Sequence, residues 1–240
     1  SPTTGTFWGN KYETNILEIT HPWVILSFSL KWLHGEHLTK ALPDYPGYKK
    51  GSLDDYKIVQ HLHSLLSKAD VLVHQNGDRF DLPKVNARFV IHGLGPVKPL
   101  KTVDTLKVAR TKFGFTSNKL DDLGETLGLG RKLEHEGYGM WRKCIDGDMN
   151  AWGRMKRYNR QDVILLEKIY LRFLPFISSH PNIALFMKGT CCPKCGSKNL
   201  QARGWASNKT TKYRQIYCND CRGWSRTVHN EQEDKPLVSL

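Results

Sequence analysis

Tyr158 and Asp162 stand four residues apart in a segment of helical periodicity, so a phenol and a carboxylate project from one helix face. A further aspartate, Asp81, ends the run Val-Leu-Val-His-Gln-Asn-Gly-Asp-Arg-Phe-Asp (71–81), which begins as a strand. Carboxylates meeting at one point hold a hard divalent cation, Mg²⁺ or Mn²⁺. Two such cations about 3.5–4 Å apart stabilise the attacking and leaving oxygens of a phosphodiester. A neighbouring phenol can orient the water. Alone, an aspartate beside a phenylalanine commonly caps a helix and a helical tyrosine commonly packs. The weight lies in the combination.

Near the C-terminus, Cys192-Pro-Lys-Cys195-Gly and Cys218-Asn-Asp-Cys221-Arg-Gly form two knuckles 22 residues apart. Four thiolates in two such pairs suit one tetrahedral structural Zn²⁺, and metal binding would supply most of the folding energy of so small a module. Gly196 and Gly223 follow the knuckles, where tight turns are expected. Cys191 has the wrong spacing and is read as a spare. With no secretion signal visible, the pairs point to a metal site in a reducing compartment rather than to disulfides. Arg203, Trp205, Lys209, Lys212, Tyr213, Arg214 and Tyr217 lie between the knuckles, with Trp224 and Arg226 beyond. Cations interleaved with aromatics suit a single-stranded nucleic acid, charges on phosphates and rings under bases. The competing use of Trp205, Tyr217 and Trp224 is as the module's small core.

The elements needed to position these groups can be read from periodicity. Trp23–Leu33 and His37–Leu42 read as strands around Gly35. A helix capped by Ser52 should run to about Ala69, with Ile58, Val59, Leu62, Leu65 and Leu66 as its apolar stripe. Val71–His74 reads as a buried strand, Leu82–His92 as a helix, Leu100–Val103 as a strand with helix from Thr105, and Leu120–Leu127 as a helix ended by Gly128. The longest helix should run from Asp148 to about Phe176. Strands followed by strand–helix alternation predict an α/β domain. Residues 1–20 read as irregular or edge-like. This gives a main domain over 1–180, a linker over 181–190, a zinc ribbon over 191–228 and a mobile tail over 229–240.

The net charge is +13; residues 187–240 carry 10 Lys and Arg against 4 acids, the remainder 26 against 19. Such an excess favours a polyanionic partner through counterion release. No apolar run approaches the roughly 18 residues of a membrane span, so no membrane partner is expected.

In this order and context the motifs resemble the DEDD superfamily of 3′→5′ exonucleases, of the Tyr-x-x-x-Asp subclass, over roughly residues 1–177. His74-Gln-Asn-Gly-Asp-Arg-Phe-Asp81 is similar to the second motif and Tyr158-Asn-Arg-Gln-Asp162 to the third. Val103-Asp104-Thr105-Leu106, Asn118-Lys-Leu-Asp-Asp-Leu123 and Leu127-Gly-Leu-Gly130 resemble a phage and bacterial branch of DnaQ-like or RNase H-like proteins. The Cys module resembles zinc ribbons of transposase and transcription-factor type.

The resemblance implies a ribonuclease H-like mixed sheet flanked by helices. It also implies a two-metal 3′→5′ exonuclease on single-stranded DNA or RNA ends, with Asp81 and Asp162 as ligands of Mg²⁺ or Mn²⁺ and Tyr158 beside them. Asn76, Arg79, Arg88 and Lys132 are candidate substrate contacts in the body, with Arg131 a further candidate, and Arg203, Trp205 and Arg214 in the ribbon. Asp104 is read as structural, a cap for the following helix. A cytoplasmic setting, bacterial or in a phage-infected host, and replication or repair partners are further expectations. The family's first motif, Asp-x-Glu on a first strand, is expected just upstream of Ser1. Glu13 and Glu18 are the nearest acids and read as ordinary surface groups. The domain is therefore read as N-terminally truncated and the chain as a poor catalyst. The alternatives are a non-catalytic nucleic-acid-binding protein on the same fold and a zinc-ribbon adaptor for protein. Salt-dependent oligonucleotide binding separates the adaptor from the other two.

Overall fold

The computed structural model describes residues 4–6, 18–21, 23–133 and 137–229. The chain opens with an antiparallel pair, β1 (Thr4–Thr6) with β2 (Glu18–His21), where the sequence suggested irregular or edge-like chain. A second antiparallel pair follows, β3 (Ser27–Lys31) with β4 (His37–Ala41). Helix α1 (Tyr56–Leu66) leads to β5 (Val71–His74), α2 (Asp81–Ile91), β6 (Lys101–Asp104), α3 (Thr105–Lys112) and α4 (Leu120–Thr126). β5 and β6 are parallel, with His74 opposite Asp104. Then come α5 (Tyr138–Ile145) and α6 (Met149–Phe173). Antiparallel and parallel ladders flanked by helices give a mixed α/β body.

Several boundaries differ from the sequence reading for definable reasons. Ser52 does not cap α1; it accepts from the Asp54 amide, and the helix starts after Asp55. Asp55 is fully buried and receives the Ile25 amide at 2.8 Å. Residues 23–26 form no regular element, so the strand is shorter than the expected Trp23–Leu33. The long helix gives way after Phe173 to a 3-10 turn, Leu174–Phe176, at Pro175.

The body has two apolar cores, and α6 serves both. Ala151, Trp152 and Met155 pack with β3, α1, α2 and α5 in the first. Leu165, Ile169, Tyr170 and Phe173 pack with Val103, Ala109, Leu120 and Leu123 in the second. At ~1.5 Å per residue, a 25-residue helix is long enough to bridge both. Tyr158 and Asp162 fall on its polar stretch between the two apolar runs. Cys144 lies in the first core, where burial pushes its thiol up to about 11, leaving it a packing residue.

The segment expected as a linker is structured. Ile183–Phe186 forms a 3-10 turn, and the Ile183 amide donates to the Pro193 carbonyl at 2.9 Å. Beyond it, β7 (Leu200–Ser207), β8 (Lys212–Cys218) and β9 (Trp224–Arg226) make an antiparallel sheet. This module is docked. Cys195 and Cys221 pack against the second core, and buried Lys194 donates from Nζ to the Pro175 carbonyl at 2.7 Å.

Candidate active site and zinc centre

The carboxyl ends of β5 and β6 build one wall of the candidate active site. Asp104 Oδ1 accepts from the Leu106 amide at 3.0 Å, capping α3, and from the Asn76 amide at 2.8 Å. That second bond anchors Asn76 in a left-handed conformation, φ 61°. The chain turns sharply there because Gly77 lies on the His74 ring; a Cβ at Gly77 would come within 2.6 Å of it. The Gly77 amide donates to His74 Nδ1 at 3.0 Å, so His74 carries its proton on Nε2 and donates to Asp78 at 3.0 Å. The hydroxyl of buried Thr105 donates to the His74 carbonyl at 3.0 Å.

This braced loop delivers Asp81 to the first turn of α2. The Asp81 residue keeps solvent-exposed surface, yet desolvation of its carboxyl raises its pKa above the usual carboxylate value, against the opposing field of Lys84. Asp104 adds to the rise, a sign that the two carboxylates feel one another.

Across the cleft from Asn76 lies Lys132, on the loop after α4, and Lys132 in turn reaches α6. Lys132 Nζ donates to Asp162 Oδ2 at 2.8 Å and to the Tyr158 hydroxyl at 3.1 Å. One ammonium thus joins the two side chains that the i, i+4 spacing placed on one face. Partial burial disfavours the Lys132 charge, but its bonds to Asp162 and Tyr158 outweigh this and hold its pKa above the usual lysine value.

The backbone around Lys132 is clamped. Its amide donates to Asp121 Oδ1 at 2.7 Å, which holds the Asp121 carboxyl below its ordinary pKa. Gln161 Nε2 donates to the Arg131 carbonyl at 3.1 Å, and Lys168 Nζ to that of Leu129 at 3.1 Å. Gly124 permits the approach, since a Cβ there would lie 2.4 Å from the Gly130 carbonyl. The sequence reading missed the clamp, although the Gly128 and Gly130 pair after α4 signalled a tight return. Asn76 and Lys132 face a common cleft of about 650 Å³, together with Gln75, Arg110, Asn118 and Lys119.

These residues fit a hard cation in kind: Asp162 offers a carboxylate with a phenol beside it and already receives a positive charge. Asp81 offers another carboxylate at the end of the same braced loop. Among the other expected contacts, Arg79 is exposed. Arg131 pairs with Asp121 at 3.4 Å and Glu125 at 3.0 Å. Arg88 requires a correction. It is buried, and its guanidinium bonds Asp55, which also meets His92 Nε2 at 2.6 Å. A guanidinium committed inside the fold is not available to a phosphate. Glu13 lies outside the described residues, and only the backbone of Glu18 is described.

In the second site, the sulfurs of Cys192, Cys195, Cys218 and Cys221 all lie within 4.8 Å of one another. Cys192–Cys221 and Cys195–Cys218 are each 3.6 Å apart. Four thiolates ~2.3 Å from one zinc would form a tetrahedron with edges of about 3.8 Å, so the donor set fits. The knuckles repeat each other. The Gly196 amide donates to the Cys192 carbonyl at 2.9 Å and the Arg222 amide to that of Cys218 at 2.8 Å. The left-handed residue of the second knuckle is Arg222, φ 61°, and not Gly223; Gly196, φ 75°, is its counterpart. Gly223 is small for another reason, its closeness to Lys194 and Cys221. Burial pushes the Cys195 thiol up to about 11 and raises Cys221 also, whereas backbone hydrogen bonds from Cys221 and Asp220 hold Cys218 below its ordinary value. Cys191 stays outside, its sulfur 4.0 Å from Met187 Sδ.

The module's aromatics are only partly core. Trp205 and Trp224 are 40% and 49% exposed. The Lys212 ammonium and Arg214 guanidinium lie 4.6 and 4.0 Å from the Trp205 ring centre, Arg203 lies 4.2 Å from Tyr217, and Arg226 lies 3.8 Å from Tyr213. Among the described residues, no helix is long and apolar enough to cross a membrane.

No curated protein matched the chain in a sequence search. A family comparison did: residues 24–174, which contain the first core, most of the second and the candidate active site, match the RNase_H superfamily. With well over half its length covered by that match, the chain belongs to the RNase_H superfamily.

Proposed function

We propose that this protein is a metal-dependent nuclease that removes nucleotides from the 3′ end of single-stranded DNA or RNA, with its Cys module as a substrate-holding platform. The observation that carries the reading is the meeting of Tyr158 and Asp162 on one cation beside a basic cleft whose other wall is the loop leading to Asp81. Crevices at the carboxyl ends of parallel strands are the usual seats of ligands in α/β folds.

Asp81 and Asp162 would hold Mg²⁺ or Mn²⁺, two ions in the complete site. Bound there, the ions would supply charge stabilisation for the attacking and leaving oxygens. Tyr158 would orient the attacking water through its hydroxyl. Asn76 and Lys132 would position the strand within the cleft, with Arg79 at its approach. Arg203, Trp205 and Arg214 would bind the single strand upstream, and Cys192, Cys195, Cys218 and Cys221 would hold one structural Zn²⁺. Replication or repair proteins remain the expected protein partners.

The 240 residues contain no Asp-x-Glu, so they offer half of the ligand set that the exonuclease resemblance implies. Degradation of a 5′-labelled oligonucleotide in Mg²⁺ or Mn²⁺ should therefore be slow and shorten the strand from its 3′ end. It should fall to background in D81N and D162N. Fusion of a strand carrying Asp-x-Glu ahead of residue 1 should raise the rate. Internal cleavage, or degradation unaffected by D162N, would contradict the assignment. A second reading, binding without catalysis, draws on the ammonium already paired with Asp162; tight, salt-dependent oligonucleotide binding with no turnover in the fused protein would favour it.

A further inference from the structure

We propose that Lys132 is a built-in competitor for the divalent cation at Asp162, seated on the carboxylate when no metal is bound and turned into the adjoining cleft when one is. This rests on the metal reading of Asp162 above. The ammonium sits 2.8 Å from Asp162 Oδ2 and 3.1 Å from the Tyr158 hydroxyl, the two groups that would face the ion and its water. A monovalent and a divalent cation cannot share that point, because their repulsion is strong at contact distance and weakly screened in a partly buried site. Metal entry therefore requires the ammonium to leave.

The structure provides the means of leaving. The Lys132 backbone is fixed through Asp121, and its neighbours are fixed through Gln161 and Lys168, so the loop need not move. The lysine stem has four rotatable carbons and swings independently of its anchored amide. The cleft it would turn into adjoins it. Lys132 already lines the cleft, where Arg110 and Lys119 are exposed and Asn76 forms the facing wall. Three cations around such a cleft match the spaced charges of a phosphodiester strand. Metal binding would thus release a phosphate contact while it assembles the site, linking occupancy by the ion to capture of the strand. Among the described residues, Asp162 and Tyr158 of α6 face the Lys132 ammonium, and Asp121 of α4 holds its amide.

The test is the affinity of the zinc-loaded 240-residue protein for Mn²⁺ alone, measured by titration calorimetry and by the electron paramagnetic resonance signal of free Mn²⁺. Removal of the competitor in K132M should tighten Mn²⁺ binding about tenfold, and K132Q should do the same. K132R, which keeps the charge, should stay within about twofold of the unaltered protein. In a D162N background, K132M should change nothing, because the contested oxygen is altered. Unchanged or weaker Mn²⁺ affinity in both K132M and K132Q, at an unaltered melting temperature, would overturn the competitor role while leaving the metal site standing. Mn²⁺ affinity that D162N fails to weaken would instead remove the metal site on which the proposal rests.

Discussion

The zinc centre and the candidate active site are both built from pairs of short motifs, yet one is assembled locally and the other across the whole body. Each knuckle supplies two cysteines from a four-residue turn, and one hairpin brings the knuckles together. Their sulfurs converge without help from distant chain. The proposed active site would take Asp81 from the first turn of α2, Tyr158 and Asp162 from the middle of α6, and Lys132 from a loop clamped on α4. It depends on both apolar cores. A site of the first kind should resist change elsewhere but be lost with its metal. A site of the second kind should survive loss of an ion but be sensitive to packing far from the chemistry.

The sharpest way to separate them is to destroy the local one. Replacement of Cys218 and Cys221 by serine should reduce bound zinc from about one per chain to none. Hydrogen exchange along β7 and β8 should then rise by orders of magnitude, because metal binding is most of such a module's folding energy. The body should still unfold cooperatively, at a lowered melting temperature, since Cys195 and Cys221 cover part of the second core near Tyr170 and Phe173. Zinc retained by the double variant would refute the four-cysteine assignment.

The next largest effect lies in the body. Arg88→Met leaves the fully buried Asp55 without its guanidinium and should cost about 3–5 kcal/mol of stability, measured by denaturant unfolding. Oligonucleotide affinity should stay within twofold. A stable variant that binds nucleic acid poorly would restore Arg88 to the phosphate contacts.

Smaller changes are expected on the module's surface. Arg203→Ala and Arg214→Ala should each weaken single-strand binding several-fold and lower the salt slope by about 0.7 per phosphate contact removed. Each also uncovers a ring, Tyr217 or Trp205, so the melting temperature should move little. A change in stability without a change in salt slope would make these pairs internal packing rather than a binding surface.

The same contrast governs what could be read from sequence. The cysteines were legible because ligand spacing within a knuckle is a local quantity. The strand Val71–His74 was legible from its apolar run, and α6 from its period, including the shared face of Tyr158 and Asp162. Helix α5 went unread because Tyr138-Gly-Met-Trp-Arg-Lys-Cys-Ile is short and begins among glycines; it forms because Met140 and Cys144 have a core to enter. Arg88 was misread because sequence shows a charge but not its burial, and its partner Asp55 lies 33 residues away. The order within the expected linker was hidden for a related reason. Pro181 and Gly189 mark breaks, but only the docked module shows that the chain between them carries a structured turn bonded back to Pro193.

The nuclease reading requires that Asp81 and Asp162 serve one ion. Backbone amide resonances of the zinc-loaded protein, followed by NMR during a substoichiometric Mn²⁺ titration, test this most directly. Paramagnetic broadening should remove the signals of Asp81, Asp162 and their immediate neighbours together, leave β7 and β8 sharp, and vanish in D162N. Broadening at only one aspartate, or centred on the cysteine module, would contradict a shared metal site between the loop after β5 and α6.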